Sequence, residues 1–181
     1  MPKKIRMNKI KLTFLMLLLC CSSISFAQTN EELKASALRD AKIASQATLK
    51  MDFDKVLDYT HPNALKIMGG KEKAMELIET TFSTMKENGF VFEKADVLGV
   101  SEIVFEDNEY RCYIENFNQM VFNGMRIKSK SYLLGIYNSE ANFWYFVEAK
   151  ELKNKAMMDK VFPNFKTSLK IPEDSTTSEK I

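Results

Sequence analysis

The chain has 181 residues, with 26 Lys plus Arg against 24 Asp plus Glu, one His and three Cys. An apolar share of 45% with 11% aromatics excludes a mostly disordered or collagen-like chain, and the length suits one domain. A formal charge of +2 is too small for a nucleic-acid footprint, so no nucleic-acid partner is expected.

The N-terminus explains the apparent basic excess. Lys3, Lys4, Arg6, Lys9 and Lys11 precede an apolar run from Leu12 to Cys21, and Ser25 and Ala27 occupy the small-residue positions before Gln28. This pattern predicts a signal peptide over residues 1–27, and hence a secreted or periplasmic protein. The run is about ten residues where a span needs ~20, so no transmembrane segment is expected in the mature chain. Leu19 before Cys20 departs from a lipoprotein signal, which has a small residue there. Removal leaves 21 basic and 24 acidic residues, a formal charge of −3, and the single thiol of Cys112. A disulfide framework is thereby excluded, and a lone thiol in a strand reads first as a small buried hydrophobe.

Residues 31–51 lack Gly and Pro, and Leu33, Ala37, Ala41, Ala44, Thr48 and Met51 recur at three- and four-residue steps. That spacing predicts a helix whose alanines permit close packing. Asp52 can cap a second helix with Phe53, Val56 and Leu57 inward, and Pro62 can open a third with Leu65 and Met68 buried. After Gly69-Gly70, the residues Ala74, Leu77, Ile78, Thr81, Phe82 and Met85 give the strongest helical stripe, stopped by Asn88-Gly89. The glycine pair lacks the Lys-Ser/Thr of a phosphate cradle and follows no strand, so it is not a nucleotide loop.

From Phe90 the period changes to two and persists to about Lys150. Asn123-Gly124 fits a two-residue type I′ turn, which sets Phe122 opposite Met125 and, stepping back, Asn118 opposite Ser129 and Asn116 opposite Ser131. A turn at Asp107-Asn108 sets Phe105 opposite Tyr110. A two- or four-residue loop around Ser139-Glu140 sets Trp144 opposite Gly135, Phe146 opposite Leu133 and Glu148 opposite Ser131. Residues 151–161 fit a short helix, and Pro172 to Ile181 is too polar to pack, so its end is expected to be disordered. The domain proper is therefore placed at 28–165, with 166–181 as an extension.

Side chains alternate along strands, so Asn116, Asn118, Ser129 and Ser131 share one face with Trp144 and Glu148. There they form a polar band between the apolar zones Phe105, Ile114, Leu133, Trp144, Phe146 and Met120, Phe122, Met125, Ile127. Buried amides and hydroxyls need partners, so the band implies mutual pairing, water or a ligand on a concave face. A β-bulge near residue 116 or 130 would instead turn these groups to solvent. The opposite face, with Arg126, Lys128, Lys130, Phe117 and Tyr132, reads as solvated and could attract an anionic partner.

Three helices followed by an antiparallel meander, with the Thr60-His61-Pro62 break, Gly69-Gly70 and the closing strand Phe143-Trp144-Tyr145-Phe146-Val147-Glu148, resemble the nuclear transport factor 2-like family. This cystatin-like cone family includes ketosteroid isomerase, scytalone dehydratase and SnoaL-like cyclases, and the likeness covers about residues 31–150. It implies an α+β fold in which N-terminal helices pack on a strongly bent antiparallel sheet, shaped as a cone with a pocket at its open end. It further implies small-molecule binding or assembly, with dimers common. The isomerases pair an acid-base carboxylate with oxyanion donors; no such motif stands in this chain, and no family catalytic residue is carried over.

The leading expectation is a non-enzymatic binding domain for a small, partly apolar molecule or peptide, using Asn116, Asn118, Ser129, Ser131 and Trp144. One alternative is an acid-base isomerase or hydrolyase with Glu148 as base and His61 as proton shuttle. Against it, Glu148 reads as a structural partner of lysine and His61 as a helix-terminal histidine. Another alternative is an assembly module, a homodimer formed through Val121, Phe117 and Tyr132. One histidine and a distant Cys112 give no metal set, and no cofactor is expected.

Overall fold

A computed structural model describes residues 29–181; the proposed signal segment, residues 1–27, lies outside the described residues. Helices α1 (Asn30–Leu49), α2 (Phe53–Asp58), α3 (Pro62–Ile67) and α4 (Lys71–Glu87) precede five strands. These are β1 (Val91–Val100), β2 (Val104–Glu106), β3 (Glu109–Phe122), β4 (Met125–Asn138) and β5 (Phe143–Glu148). A 3-10 turn at Ala149–Lys153, helix α5 (Lys155–Val161) and strand β6 (Ser175–Lys180) complete the chain. The architecture is α+β, with helices on an open six-stranded antiparallel sheet ordered β1-β3-β4-β5, in which β2 pairs with β3 and β6 with β4.

Local chemistry sets the helix boundaries. Thr29 and Glu32 form a reciprocal capping box on α1, Asp52 caps α2 through Lys55 N–H, and Pro62 opens α3 behind the His61 cap. Helix α1 buries Leu33, Ala37 and Ala41 against Cys112, Ile114, Trp144 and Phe146 of the sheet, and this is the main core. Helix α4 differs from its apolar stripe: only Ala74 is buried and Leu77 stays 57% exposed. It docks through Phe82, whose ring packs among Phe53, Phe90 and Phe92.

Strands β3 and β4 pair without interruption from Arg111 opposite Ile136 to Phe122 opposite Met125. Asn123 and Gly124 take φ of 52° and 72°, the two positive angles that a two-residue turn of this hand requires. The irregularities fall in β1 instead, between Phe92 and Lys94 and between Val97 and Gly99, so no bulge turns the polar band away.

Three expectations are corrected. The four-residue β4–β5 loop spans 139–142, one place later than a loop centred on Ser139-Glu140, because Asn138 Oδ1 accepts from the N–H groups of Glu140 and Ala141 and Asn142 takes positive φ. Glu148 therefore opposes Leu133, Phe146 opposes Gly135 and Trp144 opposes Tyr137, a slip of two that preserves the face. Phe105 is 61% exposed, since the short arm β2 carries it outside the core and leaves it against Tyr110. Finally, the tail is not disordered: Ser175–Lys180 adds to β4 from Met125 to Lys130. Backbone pairing supplies the order that its side chains, all exposed, do not.

The second sheet face is only half solvated. Tyr132, Leu134, Ile136 and Val147 are buried there beneath the C-terminal segment. That segment is tied down by Arg111 Nη1 donating to Lys166 O, by the Arg111 guanidinium over Phe165 and by Tyr132 N–H donating to Asp174. The basic row is neutralised within the protein: Arg126 pairs with Glu93, Lys128 with Glu179 and Lys130 with Glu115.

Candidate functional site

A cavity of about 480 Å³ lies between the helices and the polar band. Its existence follows from residue size. Ala41, Ala44, Ser45 and Thr48 of α1, Ala64 of α3 and Ala95 of β1 present small side chains where larger ones would fill the space. Val56, Tyr59, Met68, Leu133, Phe146 and Val161 give it apolar walls. Ile67 and Glu148, both exposed, stand at its rim with the half-buried Glu151.

Asn116, Asn118 and Ser131 line this cavity, brought together by the unbroken β3–β4 register. Asn116 is 9% exposed, and its Oδ1 is buried with no hydrogen-bond partner. An unpaired buried acceptor costs about 1–3 kcal/mol. Such a group, in a polar recess large enough for a molecule, marks a place where a donor fits.

The remaining candidates fall elsewhere. Ser129 pairs with Asn118 and with Thr176 of β6 in register and is not a cavity wall. Trp144 is fully buried in the core; its Nε1–H donates to Ser36 Oγ and its backbone N–H to Asp40, so it serves packing and not a ligand surface. His61 also lies outside the cavity lining. Its Nδ1 accepts from Asn63 N–H, and its ring packs on Phe162 and Tyr145. Burial lowers its pKa to about 4, which keeps it neutral.

Glu148 and His61 therefore do not act on one space, and the paired acid-base scheme loses its geometry. Glu148 itself has a raised pKa. Protein packed around the carboxyl is the main cause, although part of the residue is open to solvent at the rim; Lys150 opposes the shift, and Asp174 and Glu151 add to it less strongly. Cys112 is buried with its thiol pKa pushed up, so it is an inert core residue.

The sequence pattern missed Thr60, Glu151, Val161 and the cavity-making role of the α1 alanines. Four small residues on one helix face, opposite a polar strand band, are the signal that points to a void instead of close packing. Among the described residues no metal-ligating group of three His, Cys, Asp or Glu forms, and no helix is long and apolar enough to cross a membrane.

Comparison with known protein families, curated proteins and solved structures finds no match to this chain.

Proposed function

We propose that the protein is an exported, non-enzymatic binding domain that holds a small, partly apolar molecule in the cavity between α1, α3 and the sheet. The observation that carries this reading is Asn116 Oδ1, an unpaired buried acceptor on the wall of a 480 Å³ recess. Cavities of a few hundred Å³ with apolar walls and a few polar groups are the common form of small-molecule sites. The order of helices followed by an antiparallel sheet, with the long helices α1 and α4 ahead of the strands, supports the likeness to the nuclear transport factor 2-like cone family. The basic and apolar N-terminal run supports export, with Gln28 as the first mature residue.

Native mass spectrometry of the protein purified from its own source tests the reading. A retained mass of a few hundred daltons, lost in an Asn116→Leu variant, is the expected result. A bare chain, together with no thermal shift across a library of small amphiphiles, would refute it.

A further inference from the structure

The chemistry of the cavity wall narrows the ligand class. Among the described residues that line it, the formal charges are Glu148 and Glu151, both negative, and no Lys, Arg or His is present. Asp174 adds a third carboxylate close enough to act on Glu148, while Lys150 is the opposing charge nearby but not a wall residue. At the sheet, the unsatisfied group is an oxygen that can only accept. A carboxylate or phosphate ligand would face repulsion at the rim and a second acceptor at the wall. A donor-bearing cation meets neither penalty.

The two polar features are also placed to grip one molecule. Asn116 opposes Ser131 on β4, and Glu148 on β5 opposes Leu133, two residues further along β4. The features thus sit two strand spacings and a two-residue offset apart, roughly 12 Å, on the same face. Apolar Leu133 and Phe146 lie on that face between and beside them.

Resting on the cavity reading above, we infer that the ligand is an amphiphilic organic cation. Its protonated amine pairs with Glu148 and Glu151 at the rim, its apolar body lies on Leu133 and Phe146, and a hydrogen-bond donor reaches Asn116 Oδ1.

Three probes with one body and different heads test this: 4-(4-hydroxyphenyl)butylamine, 4-(4-hydroxyphenyl)butanol and 4-(4-hydroxyphenyl)butyrate, whose phenol O–H supplies the donor for Asn116, titrated calorimetrically into the purified protein. The amine is expected to bind about tenfold tighter than either other probe, a difference typical of one charge-assisted contact. Glu148→Gln is expected to bring the amine to the level of the alcohol and, because it removes a charge that burial disfavours, to hold or raise the melting temperature at pH 7, so that lost affinity is not lost folding; Glu151→Gln gives a second reading of the same charge. If the alcohol or the carboxylate matches or exceeds the amine, or if Glu148→Gln leaves amine affinity unchanged, the cationic assignment is overturned and the cavity reading stands. If no probe binds at millimolar concentration, both fall.

Discussion

Asp40 on α1 and Trp144 on β5 are joined by a buried hydrogen bond: the Trp144 backbone N–H donates to Asp40 Oδ2 at 3.0 Å. The bond sits on the outer edge of β5, where β4 supplies no partner. Two residues on, Phe146 N–H donates to Tyr59 O and its carbonyl accepts from His61 N–H. A helix carboxylate and one short chain segment thus close an edge that would otherwise be open to pairing with another strand. The Asp40 bond also ties α1 to the sheet.

Replacing Asp40 by Ala is expected to destabilise the protein by about 3 kcal/mol, since it leaves a buried N–H unpaired and removes the acceptor of Arg39 Nε. Asp40→Asn, which keeps an acceptor oxygen, is expected to cost less than half of this. Urea unfolding of the two variants checks the order; equal losses would show that the hydrogen bond to β5 is not what matters.

Gly135 is a second point where the core tolerates no addition. A Cβ there would lie 3.0 Å from Cys112 Sγ and 3.3 Å from both Phe146 Cε1 and Trp144 Cε3. Gly135→Ala is therefore expected to cost about 1–3 kcal/mol through overpacking. Adding Cys112→Ala removes the closest contact, so the double variant is expected to lose less than the sum of the two singles. Additive losses in a double-mutant cycle would contradict this packing.

How far such details could be read from the sequence depended on whether a local signal controlled them. Asn123-Gly124 set every β3–β4 pair correctly, because a two-residue turn leaves no freedom in register. The β5 register slipped by two because it depends on Asn138 bonding forward to Glu140 and Ala141, which sets the four-residue loop at 139–142. Face alternation survived that slip, so Asn116, Asn118, Ser131 and Glu148 reached the cavity as the pattern required. Ser129 and Trp144 did not, since their surroundings are set by β6 and by α1, elements distant in sequence. Strand β6 itself carries no apolar alternation, and only the vacant flank of β4 makes it a strand.

His61 is expected to make the fold acid-sensitive. Its folded pKa of about 4 lies below the ordinary 6.5 because of burial, so the unfolded chain binds the proton more readily. Its contribution is complete above pH 6.5 and is lost as pH falls toward 4, by at most about 3 kcal/mol. His61→Asn keeps a polar cap for α3 without the titration. Urea midpoints at pH 7, 5.5 and 4.5 are expected to fall more steeply for the parent than for this variant; parallel profiles would assign acid sensitivity elsewhere.

Asn116→Leu separates stability from binding. It replaces an amide whose Oδ1 is buried and unpaired with an apolar group of similar size, so the unliganded protein is expected to gain about 1 kcal/mol. The same change removes the acceptor at the inner end of the cavity and should weaken every probe that carries a donor there. A variant that is less stable than the parent, or one that binds as well, would show that Asn116 has a structural partner after all.

Strand β6 gives the last test. All six of its side chains are exposed, and its specific side-chain ties are the pairs of Glu179 with Lys128 and, more loosely, with Arg126. Exposed ion pairs add little, so a chain ending at Asp174 is expected to stay folded and to lose only about 1 kcal/mol. Its truncation would nevertheless strip β4 of its partner from Met125 to Lys130, leaving a row of unpaired backbone groups beside Arg126, Lys128 and Lys130. Arg126 keeps Glu93 and Lys130 keeps Glu115, so truncation frees Lys128 alone; that lysine opposes pairing with an identical edge, and salt screens the repulsion. Sedimentation of the truncated protein is therefore expected to show a monomer at low ionic strength and growing self-association as salt is raised, while the intact chain changes less. Loss of the folded state on truncation, or association that weakens with salt, would mean that β6 carries more of the fold than its exposed side chains imply.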